Sequence, residues 1–144
     1  MADIHTEQQR ITEEFAALSD WTERYKHIIK LGRELEPLDE KYKIEENLVR
    51  GCQSQVWLHT RLQDGTIIFE ADSDAAITKG LVALMVRFYS GRTPDSIINT
   101  SPTFIKKIGM QEHLSPTRSN GLASMVKQMK IYAMAYKAKS RQKV

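Results

Sequence analysis

The amino-acid sequence predicts an α+β fold, a small antiparallel sheet packed by helices within a single domain. Its 144 residues are 41% hydrophobic, which is enough to enclose one sizeable core. Apolar residues recur at helical spacing in both terminal parts of the chain, and between them residues 55 to 71 alternate with a period of two. Helices, a hairpin and then helices make an α+β order rather than the alternation of a parallel α/β sheet.

The N-terminal third is predicted to form two helices. The first has apolar residues at helical spacing, namely Ile4, Ile11, Phe15 and Leu18. Ser19-Asp20 followed by Glu23 is a capping pattern that opens the second, whose inward positions are Trp21, Tyr25, Ile28, Ile29 and Leu35. The charged segment 38–48 is ambiguous, and a short helix followed by an extended approach to Cys52 fits it.

The central segment is predicted to be a β-hairpin. Along its first strand one set of residues (Val56, Leu58, Thr60 and Leu62) alternates with another (Trp57, His59 and Arg61). Asp64-Gly65 is a typical two-residue hairpin turn. Residues 66–71 then form the return strand, with Ile67, Phe69 and Ala71 on one face.

The rest of the chain is predicted to be helical. Asp72-Ser73-Asp74 is expected to cap an apolar helix that ends near Gly91. Thr93-Pro94, Ser101-Pro102 and Ser115-Pro116 are each expected to open a further helix, the second of these ending at Gly109. The apolar stripe of the last helix is Leu122, Met125, Met129, Tyr132 and Tyr136. We expect that helix and the one after Asp74 to cover one face of the sheet.

Composition excludes several classes of protein. Charged residues make up 27% of the chain, and no apolar run approaches the roughly 20 residues of a membrane span. The N-terminus lacks the basic start and apolar stretch of a secretory signal, so we expect a cytoplasmic protein in a reducing compartment.

The net positive charge of the chain comes from its C-terminal segment. The net charge is +3, yet no acid follows Glu112, and the bases that follow it are Arg118, Lys127, Lys130, Lys137, Lys139, Arg141 and Lys143. A solvated basic helix end and a surface for an anionic partner both fit this pattern. We expect no nucleic-acid binding, because few aromatic residues interleave with the bases. The chain from about residue 137 is treated as a basic tail.

Cys52 is the one cysteine, so the chain cannot form an internal disulfide or a multi-cysteine metal site. It lies in a predicted loop directly after Gly51, which permits a left-handed backbone. The flanking residues are polar, and Arg50 is expected to favour the thiolate. A reactive thiol and a small buried apolar side chain are both open interpretations at this point.

Other side chains near the predicted loop have two interpretations each. Asp74 is a helix cap, or it lies beside the cysteine loop or a partner surface. Arg118 is near a helix N-terminus, where the dipole disfavours a cation, so it either serves the cysteine loop or fixes the turn. His59 and His113 would, with Cys52, suggest a zinc site or a Cys-His hydrolase, but a lone histidine on a strand is more often a packing residue. We expect no metal.

Three ordered blocks of sequence resemble the SufE family of sulfur acceptors. They are Gly51-Cys52-Gln53-Ser54-Gln55-Val56-Trp57-Leu58, then Asp72-Ser73-Asp74-Ala75-Ala76-Ile77-Thr78-Lys79-Gly80-Leu81, and His113-Leu114-Ser115-Pro116-Thr117-Arg118-Ser119-Asn120-Gly121-Leu122. The resemblance runs from about Trp21 to the last helix. It implies a fold similar to that of the IscU scaffold proteins.

The resemblance also implies a function. SufE-like proteins accept sulfur from a pyridoxal-phosphate cysteine desulfurase such as SufS, stimulate it, and pass the sulfur to a SufBCD-type scaffold for iron–sulfur cluster assembly. By position Cys52 is the acceptor, and the residues expected at the loop and partner contacts are Gly51, Gln53, Ser54, Asp74 and Arg118. The chain would carry only a transient persulfide, with pyridoxal phosphate in the partner. Monomer or homodimer is left open.

A single cysteine suits this chemistry. Sulfur passes from one thiolate to another by exchange at sulfur, which needs one cysteine per protein and no resolving thiol. A second thiol in the chain could attack the persulfide and release sulfide. We therefore expect Cys52 on a loop tip that is folded towards apolar side chains when idle and swings out when the desulfurase docks.

Overall fold

A computed structural model describes residues 3–142 and confirms the α+β order. Seven α-helices and two strands follow one another in this part of the chain: α1 (Ile4–Ala16), α2 (Trp21–Glu34), β1 (Val56–Gln63), β2 (Thr66–Ser73), α3 (Ala76–Tyr89), α4 (Pro94–Asn99), α5 (Phe104–Lys107), α6 (Met110–His113) and α7 (Pro116–Gln142). The ambiguous segment before β1 holds two 3₁₀ turns, Glu40–Tyr42 and Glu45–Asn47. None of the described helices is long and apolar enough to cross a membrane.

The predicted hairpin is confirmed. β1 and β2 pair antiparallel in the register from Val56↔Ser73 to Gln63↔Thr66. Asp64 and Gly65, the two turn residues, have φ values of 51° and 78°, the left-handed conformation that a two-residue hairpin turn requires. The alternation fades towards this turn: Val56 is buried, whereas Leu62 is 51% exposed. Burial thus declines along β1 towards the turn, while its partner strand stays buried there through Ile67.

The N-terminal helices begin where their capping residues predict. Asp3 accepts a hydrogen bond from the Thr6 N–H at 2.8 Å, and Asp20 accepts one from the Glu23 N–H at 2.9 Å. These side chains satisfy N–H groups that have no partner within the first helical turn. The predicted starts of α4 at Pro94 and α7 at Pro116 are also confirmed. The Thr93 and Ser115 hydroxyls accept hydrogen bonds from N–H groups of the first turn of each helix.

Two predicted helix caps are wrong. The side chains of Asp72 and Asp74 do not cap α3, whose N-cap residue is Ala75 with no side-chain bond, because both carboxylates have other partners and β2 continues to Ser73. Pro102 does not open a helix either. The Ser101 hydroxyl that was expected to cap it accepts a bond from Lys130 Nζ at 3.1 Å, and the helix begins only at Phe104.

The central helix α3 packs on β2, as expected, and also against α2. α7 was expected to cover the sheet too, but its main contacts lie elsewhere. α7 packs chiefly against α4 and reaches the sheet through a hydrogen bond of 2.9 Å between the Tyr136 and Thr60 hydroxyls. The segment treated as a basic tail continues α7 to Gln142, and Lys137 lies 2.6 Å from Asp95. The largest fully buried side chains come from the two strands and helices α1 to α5: Tyr89, Phe15, Phe69, Phe88, Phe104, Ile11, Ile28, Leu58, Ile67, Leu84, Met85 and Ile97.

Two glycines allow α2 and α3 to lie in backbone contact. A Cβ placed on Gly80 would be 2.0 Å from the Ile28 carbonyl oxygen, and one on Gly32 would be 2.8 Å from the Gly80 nitrogen. Neither contact can relax by side-chain rotation, since the opposing atoms belong to the backbone. The position of α3, which leads out of the sheet beside Cys52, therefore depends on glycine at 80.

We expect Gly80→Ala to lower the free energy of unfolding by about 3 kcal/mol, because the two helices must move apart. Helix propensity alone predicts the opposite sign, a gain of about 1 kcal/mol. Urea unfolding followed by circular dichroism measures the difference. A variant as stable as the parent would show that the helices are not in backbone contact.

Candidate functional site

Residues 50–55 form a closed loop whose two ends are held by hydrogen bonds. At its base the Val49 N–H donates to the Val56 carbonyl at 2.9 Å, so the residue before the loop lies beside the residue at which β1 begins. Gly51 has a φ of 94° and turns the backbone, and Cys52 follows it. The Cys52 thiol is free and half-buried. The loop thus presents a single cysteine on a constrained backbone.

The loop rests on two small residues of α7. A Cβ on Gly51 would lie 2.4 Å from the Ser124 hydroxyl oxygen, which can rotate away, and 3.1 Å from the Ser124 Cβ; the positive φ is what favours glycine there. The Cys52 Sγ lies 3.5 Å from the Gly121 carbonyl oxygen, close enough for a weak hydrogen bond from the thiol. Gly121 and Ser124 are three residues apart and so share one helix face.

Asp74 holds the other end of the loop. Its Oδ1 accepts a hydrogen bond from the Gln55 N–H at 3.0 Å, and its own N–H donates to the Gln55 carbonyl at 3.3 Å. This reciprocal pair ties the loop to the segment between β2 and α3. Of the two interpretations that the sequence left open, the structure places Asp74 beside the cysteine loop.

Cys52 lines a cavity of about 620 Å³ between the loop, α3 and α7. Most of the residues that line the cavity are apolar, and the others include several hydroxyl side chains and one cation. The lining residues are Ile29, Cys52, Gln53, Ser54, Ala75, Ala76, Ile77, Thr78, Leu81, Val82, Ser115, Thr117, Arg118, Gly121, Leu122 and Met125. The predicted residues Gln53, Ser54 and Arg118 thus share one cavity with the thiol. Gly51 instead faces α7.

Burial raises the pKa of the Cys52 thiol above its ordinary value. A thiolate in an apolar surrounding loses hydration that the protein does not replace, so the neutral form is favoured. The expectation that Arg50 would favour the thiolate is wrong, because Arg50 is exposed and desolvation is what shifts the pKa. In this conformation Cys52 is a protonated, weakly nucleophilic thiol.

A buried ion cluster stands behind the loop at the end of β2. Asp72 is 6% exposed, and its carboxylate lies 3.2 Å from both Lys43 Nζ and Lys79 Nζ. Burial would raise the pKa of Asp72, but the bonds from the Ser73 N–H and the two lysines outweigh it and lower that pKa. Lys43 also lies 5.6 Å from the centroid of the Trp57 ring. The cluster joins the 3₁₀ turns, β2 and α3 next to the loop.

The two candidate histidines are engaged elsewhere. His59 stacks on Tyr42 with ring centroids 3.6 Å apart, and His113 stacks on Trp21 at 4.1 Å. Neither lines the cavity of Cys52. No group of three His, Cys, Asp or Glu side chains within residues 3–142 is arranged to hold a metal ion. The geometry therefore does not assemble the Cys-His pair that a thiol hydrolase needs.

The sequence did not reveal that Gly121 and Ser124 support the loop. One signal was available: both are small residues beside the apolar positions Leu122 and Met125 of the last helix. It could not be used without knowing which element packs against that face. The sequence likewise shows Ile77 and Leu81 only as part of an apolar helix, and the structure adds that they line the cavity.

The rate at which iodoacetamide alkylates Cys52 should rise with pH around a thiol pKa. That pKa should be higher in the folded protein than in a peptide of residues 48–57 or in the urea-unfolded chain. Protonation favours the folded state, so this contribution to stability is present below the ordinary thiol pKa and is lost as the pH rises through the folded-state value. Rate profiles against pH for the protein and the peptide test this. Coincident profiles would mean that the thiol is not desolvated.

Replacing Asp74 by alanine should speed hydrogen exchange of the Gln55 amide roughly tenfold or more, because that N–H loses a charged acceptor. Asp74→Asn is the matched control, since it keeps an oxygen acceptor, and its effect should be intermediate. Nuclear magnetic resonance measures both. Equal exchange in Asp74→Ala and the parent would show that Asp74 does not hold the loop.

Comparison with known proteins agrees with the resemblance read from the motifs. Residues 9–133 match the family model "SufE: Fe-S metabolism associated domain". The chain is 40% identical over 127 residues to an uncharacterized SufE-like protein of Synechocystis, covering 88% of this chain and 80% of that protein. It is 38% identical to the chloroplastic/mitochondrial SufE-like protein 1 of Arabidopsis thaliana, covering 93% of this chain but 36% of that longer protein.

The fold has a solved counterpart as well. The solution structure of a hypothetical protein from Thermus thermophilus superposes with a TM-score of 0.74 at 18% identity, covering 90% of this chain and 94% of the other. That likeness concerns the fold alone. The family model spans most of the chain and includes the cysteine loop, α3 and the start of α7. The chain therefore belongs to the SufE family, a family associated with iron–sulfur metabolism.

Proposed function

We propose that this protein accepts sulfur from the persulfide of a pyridoxal-phosphate cysteine desulfurase, stimulates that enzyme, and relays the sulfur to a SufBCD-like scaffold for iron–sulfur cluster assembly. The observation that carries the proposal is the environment of Cys52. It is the only thiol of the chain, it lies on a loop held at both ends, and it lines an apolar cavity. Membership of a family associated with iron–sulfur metabolism supports the destination of the sulfur.

The transfer is an exchange between sulfur atoms. The Cys52 thiolate attacks the outer sulfur of the desulfurase persulfide, a new bond forms to Cys52 Sγ, and the desulfurase cysteine leaves as a thiolate. The proton released by Cys52 equals the one that the leaving thiolate needs. No external oxidant, reductant, metal or cofactor on this chain is required, and pyridoxal phosphate acts only in the partner.

The resting geometry suits storage of sulfur rather than attack. The thiol is half-buried and its pKa is raised, so it is shielded and weakly reactive until the loop moves. Docking of the desulfurase would release the contacts of the loop with Gly121 and Ser124 and expose Cys52. Such a movement would occur between the anchored residues Val49 and Gln55, which flank Cys52. The exposed Arg118 beside the cavity is available to the partner surface.

The Cys52→Ser variant should fail to gain the mass of a sulfur atom when incubated with a cysteine desulfurase and free cysteine, and it should not stimulate that enzyme. The serine hydroxyl cannot form a persulfide, while its size preserves the loop. Intact-mass spectrometry and a sulfide assay measure the two effects.

His59→Ala is the matched control and should behave like the parent, because His59 lies outside the cavity. Loss of sulfur acceptance in His59→Ala would contradict the assignment of sulfur transfer to the cavity of Cys52. Stimulation that persists in Cys52→Ser would contradict the acceptor mechanism and indicate an allosteric one. If the parent neither gains sulfur nor stimulates, the remaining alternative is an interaction module that acts through the basic end of α7.

A further inference from the structure

The cavity beside Cys52 is far larger than its proposed cargo requires. Its volume of about 620 Å³ is in the range of small-molecule sites, roughly 300–1,000 Å³, whereas a single sulfur atom occupies about the space of one water molecule, roughly 30 Å³. Sheltering one sulfur atom thus leaves most of the volume unexplained. Because rim residues such as Ser115, Thr117 and Arg118 are exposed, the cavity also opens to solvent.

The side chains that line the cavity indicate which class of ligand it can bind. The lining contains apolar side chains from α2, α3 and α7, several hydroxyls, and no aspartate or glutamate. Arg118 supplies the single cationic side chain of the lining, and it makes no side-chain hydrogen bond or ion pair with any other described residue. An apolar skeleton bearing a carboxylate would match these walls, and a ligand bearing an ammonium group would find no acid to pair with.

We propose that this cavity binds low-molecular-weight thiols with a carboxylate, and that they exchange sulfane sulfur with Cys52 directly. The inference rests on the proposed function in one respect only, that Cys52 carries such a sulfur. It adds a second route by which sulfur reaches or leaves the protein without a partner protein. Arg118 would contact the carboxylate, and the apolar walls would contact the carbon chain.

The exchange balances without any further reactant. A thiolate R–S⁻ attacks the outer sulfur of the Cys52 persulfide, the bond between that sulfur and Sγ breaks, and R–S–SH forms as Cys52 leaves as a thiolate. Burial favours proton uptake by that leaving thiolate from water. The sulfane sulfur keeps its oxidation state throughout. The reverse reaction loads Cys52 from a small organic persulfide.

Three thiols of similar size test the inference: mercaptopropionate, mercaptoethanol and cysteamine carry an anion, a neutral group and a cation. Cys52 is first loaded with inorganic polysulfide, and mass spectrometry follows the loss of the outer sulfur. Each rate is divided by the rate for the same thiol with a loaded peptide of residues 48–57, which corrects for intrinsic thiol reactivity. That peptide contains Arg50 but not Arg118.

We expect the corrected rate of mercaptopropionate to exceed that of cysteamine about fivefold, as one partly screened ion pair allows. The preference should decline in high salt, because the cation lies at the rim. Arg118→Gln should remove it. Lys127→Gln is the matched control: it removes one positive charge from the exposed face of the same helix, outside the cavity, and should retain the preference.

A second variant tests the cavity apart from its charge. Ala76 is exposed and lines the cavity at the start of α3, so Ala76→Leu fills space without entering the core. Its corrected rates should fall severalfold for all three thiols while the order among them remains. Unfolding transitions of the variants should match that of the parent.

Several results would overturn the inference. Three of them concern rates: corrected rates that do not differ among the thiols, equal effects of Arg118→Gln and Lys127→Gln, and unchanged rates in Ala76→Leu. The fourth is failure of polysulfide to load Cys52, which would show that the cavity excludes small anionic sulfur compounds. Because loading uses no desulfurase, these results are independent of whether the desulfurase transfers sulfur to the protein. The failure of one proposal is therefore distinguishable from the failure of the other.

Discussion

The closure of the loop 50–55 is the constraint on which the rest of the site depends. Val49 and Val56 bring its ends together, and Asp74 holds Gln55, so both ends of the loop that carries Cys52 are fixed by hydrogen bonds. A loop anchored at both ends loses little further entropy when its tip packs against a helix. That restriction is why contacts as slight as those of Gly51 and Cys52 with α7 suffice to hold the thiol in place.

The same arrangement sets two requirements against each other. A nucleophilic cysteine needs a low pKa and exposure, whereas a sheltered persulfide needs an apolar surrounding that raises the pKa of the resting thiol. This protein resolves the conflict in favour of shelter, since Cys52 is half-buried and its pKa is raised. Attack by Cys52 on the persulfide of a partner protein must then follow movement of the loop. The charged groups nearby serve other purposes: Asp72 binds two lysines, and Arg118 stands at the cavity rim.

Local sequence signals predicted the elements well where a side chain acts on its own backbone neighbours. Asp20 caps α2, Asp64-Gly65 turns the hairpin, and Ser115-Pro116 opens α7 as expected. The same signals failed at Asp74 and Ser101. Each has a side chain that could cap a helix, but each bonds to a distant segment instead, Gln55 in one case and Lys130 in the other. A capping motif shows that a side chain can bond to the start of a helix, but it does not show whether a residue distant in sequence will bond to that side chain instead.

The sequence by itself determined the α+β order, the hairpin register, the single cysteine and membership of the SufE family. These follow from periodicity, turn chemistry and motifs, which act over a few residues or are compared position by position. Only the tertiary structure decided that Gly121 and Ser124 support the cysteine loop, that the thiol pKa is raised, and that Arg118 shares an apolar cavity with Cys52. These properties arise where α7 meets a loop nearly 70 residues away in sequence. Desolvation and cavity shape depend on which surfaces pack together, and that packing is determined by the contacts of the whole core.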